Sequence, residues 1–97
     1  MSESAVQPKD PIKVLPIVMM MLNEMAGIAW VKLGFQPDPL VGGLATDLSE
    51  AKIAIDVAAD LAKVVDSVLD EEDRRQVQSL LRDLRVNYME KQKELGS

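Results

Sequence analysis

Residues 14–33 read VLPIVMMMLNEMAGIAWVKL, and this apolar stretch decides the fold. Its polar side chains are those of Asn23, Glu24 and Lys32, so a helix built from it is apolar on nearly every side. A helix of that kind is normally buried, because water on any side would leave large apolar side chains exposed. We therefore predict a core helix in this stretch and a fold built around it.

Pro16 is predicted to form the first turn of this helix, where proline needs no amide partner, and the helix then runs Ile17–Leu33. Gly34 can adopt the left-handed conformation that often ends a helix. Residues 35–43 cannot continue the helix, because their prolines and glycines demand turns. These turn residues are Pro37, Pro39, Gly42 and Gly43.

A second helix is predicted to begin after Asp47. Glu50 stands three residues later, which completes a capping-box pattern ahead of an apolar run. The apolar residues of that run recur at spacings of three and four, which predicts a broad buried stripe on one face. Its first row is Leu48, Ala51, Ile55, Ala58, Ala62, Val65 and Leu69, and the row beside it is Ala54, Val57, Leu61, Val64 and Val68.

A third helix is predicted to begin at the acidic run 70–73, with Asp70 as its cap. Acids at the start of a helix accept hydrogen bonds from its free amides and complement its dipole. The link at residues 68–70 is short, so this helix should turn back along the second. The residues expected to face the core are Val77, Leu80, Leu81, Leu84 and Tyr88.

The predicted fold class is therefore all-α. It has a long apolar first helix, a Pro/Gly-rich turn and an antiparallel hairpin of the second and third helices, and it associates as a helical-bundle dimer. Residues 1–13 are polar, contain two prolines and show no periodicity, so we expect a disordered or extended arm. Residues 14–95 are expected to form a single helical domain.

The composition excludes several kinds of chemistry. The chain has no cysteine and no histidine, so it lacks disulfides, thiolate nucleophiles and the usual ligands of zinc. We therefore expect no enzymatic activity, no metal and no cofactor. The net charge of −5 repels nucleic acid and anionic membranes, and the absence of cysteine is compatible with the cytoplasm, where we expect the protein to reside.

The order of residues along the chain follows a spaced pattern. It begins with Leu33-Gly34-Phe35, Pro37-Asp38-Pro39 and Gly42-Gly43, and it continues with Asp47-Leu48, Ala51-Lys52 and Ile55-Asp56. It closes with the acidic run 70–73 and Leu84–Tyr88. In this pattern the chain resembles a bacterial family of short helical proteins known as domain of unknown function 1844. The resemblance implies a bacterial, cytoplasmic, all-helical protein, and it implies no particular activity.

Glu24 is the one ionisable group in the middle of the first predicted helix. A carboxylate in apolar surroundings could serve as an acid or base, with Arg85 or Lys52 from a neighbouring helix as its partner. The simpler interpretation is a solvated or ion-paired residue on a narrow polar strip with Asn23 and Gly27. We favour the strip, because one carboxylate without a second catalytic group does not make an active site.

Three other features suggest ligands but have simpler explanations. Asp56 and Asp60 could share a divalent cation, yet hard cations need six or more oxygens. The Gly42-Gly43 pair lacks the rest of a phosphate-binding pattern. Residues 14–33 are long enough to span a membrane, but an acid in the middle of a span costs about 2.5–3.5 kcal/mol. We therefore expect Asp56 and Asp60 to lie on a solvated helix face and Gly42-Gly43 to form a turn. Residues 14–33 are expected to form a core helix, with no membrane partner.

The third helix is rich in basic residues. From Arg74 to Lys93 the chain has six cations against two acids, whereas residues 47–73 have nine acids against two lysines. A basic helix could follow phosphates while Tyr88 stacks on a base, which gives the alternative function, a nucleic-acid- or ribosome-associated accessory protein. The acidic second helix lies alongside and offsets this charge, so we expect no nucleic-acid partner.

The leading hypothesis is a non-enzymatic, self-associating interaction module that acts as an adaptor or regulatory partner. The hairpin can cover about half of the first helix, and a large apolar remainder normally marks an interface. The expected partner is a second copy in a homodimer or higher oligomer, with an unidentified protein left open as another. The residues expected at the oligomer interface are Val18, Met19, Leu22, Met25, Ala26, Ala29 and Trp30.

Overall fold

The computed structural model describes residues 10–96. Within that range the chain forms three α-helices and no β-strand, so the predicted all-α class is confirmed. The helices are α1 (Val14–Lys32), α2 (Leu48–Val65) and α3 (Glu71–Gly96), and a 3₁₀ turn at Asp66–Val68 follows α2. Most of the predicted arm, residues 1–9, lies outside the described residues.

The start of α1 differs from the prediction. The helix begins at Val14, three residues before Ile17, and Pro16 is its third residue. The first four amides of a helix have no partner within it, so proline loses no hydrogen bond at this position. Pro16 therefore remains in the first turn, and α1 carries nearly one more turn of apolar surface than predicted.

The end of α1 is closed by a glycine in the left-handed region. Gly34 has a φ of +89°. Its amide donates to the Val31 carbonyl at 3.0 Å, and the Phe35 amide donates to the Trp30 carbonyl at 3.1 Å. This pair of hydrogen bonds satisfies carbonyls that the end of a helix would otherwise leave free. The chain thus leaves α1 in a defined direction.

The side chain of Asp47 caps α2. Its Oδ1 atom accepts hydrogen bonds from the Glu50 amide at 3.1 Å and from the Ser49 hydroxyl at 2.9 Å. The bond from the Glu50 amide, followed by that from Ser49, lowers the pKa of the Asp47 carboxyl. The charged form of Asp47 is therefore favoured in the folded protein.

Replacing Asp47 by asparagine should remove a pH dependence of stability, because asparagine caps a helix without titrating. The folded-state pKa of Asp47 is lowered. Its contribution is thus present above the unfolded-state pKa of about 3.9 and is lost as the pH falls through the folded-state pKa. Urea midpoints should show the parent losing stability relative to Asp47→Asn below about pH 3.9. Asp83→Asn on α3 is the control, and a difference that stays constant with pH would contradict the assignment.

The start of α3 is capped in the same way. The Oδ1 atom of Asp70 accepts a hydrogen bond from the Asp73 amide at 2.8 Å. The acids Glu71, Glu72 and Asp73 occupy the first turn, where they complement the helix dipole. Of the residues expected to face the core, three are buried and two half-buried: Val77, Leu81 and Leu84, then Leu80 and Tyr88.

Two clusters of buried side chains hold the helices together. The first joins the N-terminal half of α1 to the C-terminal half of α2, and the second joins the opposite halves, so α1 and α2 run in opposite directions. The first comprises Leu22, Ala58, Ala62, Val65, Leu69, Val77 and Leu81. The second comprises Ala26, Ala29, Leu33, Ala51, Ala54, Ile55 and Leu84.

The buried stripe of α2 is narrower than predicted. Every residue of its first apolar row is buried or half-buried. In the second row Ala54 is buried and Leu61 is half-buried, but three valines are exposed. The difference arises because α2 packs against α1 and α3, and no other helix of residues 10–96 covers its remaining side. The exposed members are Val57, Val64 and Val68.

Candidate interaction surface

The residues predicted for the oligomer interface lie mainly in the chain's own core. Leu22, Ala26 and Ala29 are buried against α2, so a second copy could not contact them without displacing that helix. This corrects the sequence-based assignment for these three residues. The other four are half-buried and pack against the same two clusters: Val18, Met19, Met25 and Trp30.

The spacing of alanines is the sequence signal that could have shown which side of α1 packs against α2. The face of α1 against α2 carries small residues, Ala26 and Ala29, and α2 presents alanines in return. Small side chains on both helices allow a close approach, so matching alanine rows identify the faces that meet. The large side chains of α1 are then left for the other side. The alanines of α2 are Ala51, Ala54, Ala58 and Ala62.

The opposite side of α1 is exposed and mostly apolar. Met20 is 63% exposed and Met21 49%, while Ile17 and Ile28 are 38% and 40% exposed. Glu24 lies among them and is also exposed. Spacings of three and four residues place these side chains along one face. We call this the outer face of α1.

The loop that follows α1 holds further apolar side chains in solvent. The Oδ1 atom of Asp38 accepts a hydrogen bond from the Leu40 amide at 2.8 Å, and the Asp38 carbonyl accepts one from Gly42 at 2.7 Å. Gly42 and Gly43 have φ values of +74° and +77°, which favour glycine. This tight turn leaves Leu40 91% exposed and Val41 83% exposed.

A groove of about 670 Å³ runs between the outer face of α1 and this loop. Its surface is mainly apolar, and its charged groups are Glu24, Lys32 and Asp38. An apolar groove beside a helix with charges at its margins is the kind of surface that receives an amphipathic helix. The remaining lining residues are Met20, Asn23, Gly27, Ile28, Val31, Pro39 and Leu40.

An aromatic contact ties the C-terminal end of α1 to α3. The Trp30 and Phe35 rings meet edge to face, with their centroids 5.7 Å apart. The Nζ atom of Lys91, on α3, lies 5.1 Å from the centroid of the Phe35 ring. Such contacts stabilise beyond the area they bury. Trp30 is therefore engaged with Phe35 inside the chain, and its expected place at an oligomer interface stays a prediction.

The structure does not bring Glu24 together with either of its suggested catalytic partners. Glu24 lines the groove on α1, whereas Arg85 lines a separate polar groove between α2 and α3. Lys52 is paired with Asp56, whose Oδ2 atom lies 2.9 Å from the Lys52 Nζ. Glu24 is thus an exposed carboxylate at an apolar groove, as the polar-strip interpretation expects.

Asp56 and Asp60 line the polar groove between α2 and α3. The hydrogen bond and charge of Asp56 raise the pKa of Lys52, so this aspartate serves as the partner of an ammonium group. Among residues 10–96, no three acidic, histidine or cysteine side chains are grouped so that they could hold a metal ion.

The charge on α3 is more balanced than the sequence segment from Arg74 to Lys93 indicates. Over its full length, Glu71–Gly96, the helix carries six basic and six acidic residues. The four acids that the shorter segment leaves out are the three of the first turn and Glu94. Arg74, moreover, is engaged within the chain, because its Nη2 atom donates to the carbonyls of Asp66 and Leu69 at 2.9 and 3.0 Å.

Arg74 also pairs with two carboxylates at the link between α2 and α3. Its Nε lies 3.4 Å from the Asp66 carboxylate, and its Nη1 lies 3.0 Å from that of Glu71. Sequence reasoning counted Arg74 among the basic residues of the third helix and missed this role. A guanidinium group offers five donors in a fixed plane, which is why one side chain can join the end of one helix to the start of the next.

Replacing Arg74 by methionine should lower the free energy of unfolding by about 1–2 kcal/mol, because two carbonyls lose a charged donor. Arg75→Met is the matched control. Arg75 is 69% exposed, and its closest carboxylate, that of Glu72, is 3.8 Å away. Its replacement should change stability by less than about 0.5 kcal/mol. Equal urea midpoints for the two variants would show that the contacts of Arg74 do not stabilise the link.

Of the helices in residues 10–96, α1 has the length and composition to cross a membrane. The mean hydropathy of its most apolar window is 1.7, and 17% of that window is buried within the chain. Length and composition are weak evidence, because the core helix of a soluble protein meets the same criterion. The low burial of this window also shows that α2 and α3 leave much of α1 uncovered.

The fold and the groove define a small three-helix protein with an apolar groove beside its first helix. Residues 16–90 match a protein family described as a domain of unknown function, and the chain belongs to that family. The resemblance seen in the sequence is thereby confirmed, over most of the described chain. A search of curated proteins and a search of solved structures find no match.

Proposed function

We propose that the protein is a non-enzymatic, self-associating interaction module of the cytoplasm that acts as an adaptor or regulatory partner. Two copies join through the outer face of α1 and the adjoining groove. Each contributes α1, the Pro/Gly-rich turn and an antiparallel α2–α3 hairpin to a helical-bundle dimer. The groove between α1 and the loop is the observation that carries this proposal.

Burial of the outer face would supply the free energy of association. Its methionines and isoleucines are 38–63% exposed, and full burial of such a side chain stabilises by about 1.5–3 kcal/mol. Methionine suits this kind of surface because its flexible side chain fills irregular gaps. A two-fold axis is the commonest way to close a contact between identical chains. A dimer therefore accounts for large apolar side chains that one copy leaves in water.

Replacing Met20 by aspartate should weaken the dimer by at least about tenfold, because a charge would enter an apolar contact. Met89→Asp on α3 is the matched control, since Met89 is 60% exposed and Met20 is 63% exposed. Both variants should keep the parent's helical circular dichroism and thermal midpoint when monomeric. Sedimentation velocity across a concentration series would measure the effect.

Three results would contradict the proposal. One is a parent protein that stays monomeric from micromolar to submillimolar concentration. Another is a dimer weakened equally by Met20→Asp and Met89→Asp, which would place the contact elsewhere. A monomer that binds phosphatidylcholine vesicles through Met20 would assign the outer face to a lipid surface and would also overturn the proposal.

A further inference from the structure

We infer that the groove receives α1 of a second copy in an antiparallel orientation, with the two-fold axis passing close to Ile28 and with Glu24 of each copy opposite Lys32 of the other. This inference rests on the proposed self-association and specifies its geometry. It commits the groove to one occupant, the same helix from another chain.

Charge complementarity along the groove is the first argument. Glu24 and Lys32 both line it, one at each side of Ile28 and four residues from it. They are about 12 Å apart along the helix axis. In a two-fold contact, if residue i of one copy touches residue j of the other, then j also touches i. An antiparallel pairing about Ile28 therefore forms the contact between Glu24 and Lys32 twice.

Other arrangements of the same two helices place like charges together. A parallel pairing would put Glu24 beside Glu24 and Lys32 beside Lys32. An antiparallel pairing centred on Glu24 would bring two carboxylates to the axis. Like charges in a partly desolvated contact repel each other, so both arrangements are disfavoured. The pairing about Ile28 instead puts an apolar side chain on the axis and opposite charges on either side of it.

The charged groups are available for such a contact. Glu24 is exposed and forms no ion pair with another described residue, and Lys32 is half-buried at the groove. The Lys32 carbonyl accepts a hydrogen bond from the Asp47 amide at 2.8 Å, and the charge of the Lys32 side chain is one of the smaller contributions that lower the pKa of Asp47. Opposite charges on a partner helix would pair with both Glu24 and Lys32.

The space beside Ile28 allows a helix to come close. A Cβ atom built on Gly27 would meet no atom within 4 Å, so this part of α1 has open space next to its backbone. Leu40, at the opposite wall, is 91% exposed and could pack along the side of an entering helix. The groove thus combines a close approach on one side with a large apolar side chain on the other.

Reversing the two charges tests the pairing. Glu24→Lys and Lys32→Glu should each raise the dimer Kd by about tenfold at low salt, because each reversal turns two attractive contacts into repulsive ones. The double variant should return Kd to within about threefold of the parent. The two single reversals change the net charge in opposite directions, so a net-charge effect could not weaken both. Glu90→Lys on α3 controls for the charge change itself.

Proximity at the axis is tested independently by a single cysteine. The chain has no cysteine of its own, so Ile28→Cys reports only on residue 28. Two such residues at the axis should be linked readily by a short bis-maleimide. Val64→Cys on α2, where Val64 is 75% exposed, is the control and should be linked no faster than random collision allows.

The outcomes separate this inference from the proposal on which it rests. A parent that remains monomeric overturns both. A dimer that is indifferent to the charge reversals, and that is linked through Val64→Cys but not through Ile28→Cys, leaves self-association standing and overturns the antiparallel α1 pairing. Weakening by both single reversals, rescue by the double variant and linkage through Ile28→Cys together support the pairing.

Discussion

Replacing Leu84 by alanine is expected to lower the free energy of unfolding by about 3–5 kcal/mol. Leu84 is fully buried and is the buried member that α3 contributes to the second core cluster, with Leu80 and Tyr88 packed beside it. Four of the six other buried members of that cluster are alanines, which are too short to move into the space left behind. The variant would therefore keep a cavity, and an unfilled cavity adds to the loss of buried apolar surface.

The matched control is Leu95→Ala, which makes the same chemical change at a side chain that is 61% exposed. It should alter stability by less than about 0.5 kcal/mol. Urea unfolding followed by circular dichroism measures both, at one fixed protein concentration because the proposed dimer would add to the apparent stability. Since a small domain is stable by about 5–15 kcal/mol, Leu84→Ala should be close to unfolded at moderate urea. A cost no larger than that of Leu95→Ala would show that α3 does not depend on this cluster.

Replacing Gly34 by alanine is expected to cost about 1–3 kcal/mol from backbone conformation alone, because a residue with a side chain is strained in the left-handed region. Gly34 has a φ of +89°. A Cβ atom at this position would also lie 2.5 Å from the Thr46 Oγ1. The Thr46 side chain must therefore move, which adds a steric cost to the conformational one.

A second glycine separates these two costs. Gly42 has a φ of +74°, but a Cβ atom there would meet nothing within 4 Å. Gly42→Ala should therefore show the conformational cost without the steric one and destabilise less than Gly34→Ala. Adding Thr46→Ala to Gly34→Ala should recover most of the difference in urea midpoint. Equal midpoints for Gly34→Ala and Gly42→Ala would mean that Thr46 rotates away without cost.

The outer face of α1 shows how tertiary packing divides an apolar helix. Sequence periodicity identifies apolar residues, but α1 is apolar in nearly every direction and so has no preferred face. The close contact between alanines of α1 and α2 selects the side with Ala26 and Ala29 for the core. Ile17, Met20 and Ile28 are then left outside, on a different arc from the residues predicted for the interface.

Local sequence by itself determined the three helices, the end of α1 and the starts of α2 and α3. A glycine that can adopt positive φ, an aspartate before each of α2 and α3, and apolar residues at helical spacing act over a few positions, so they can be recognised without knowing the fold. Tertiary structure decided which residues of α1 face the core, where Arg74 binds and how Glu24 and Lys32 come to line one groove with Leu40. These relations depend on how helices that are far apart in the sequence pack against each other. A local sequence pattern spans only a few residues and does not report that packing.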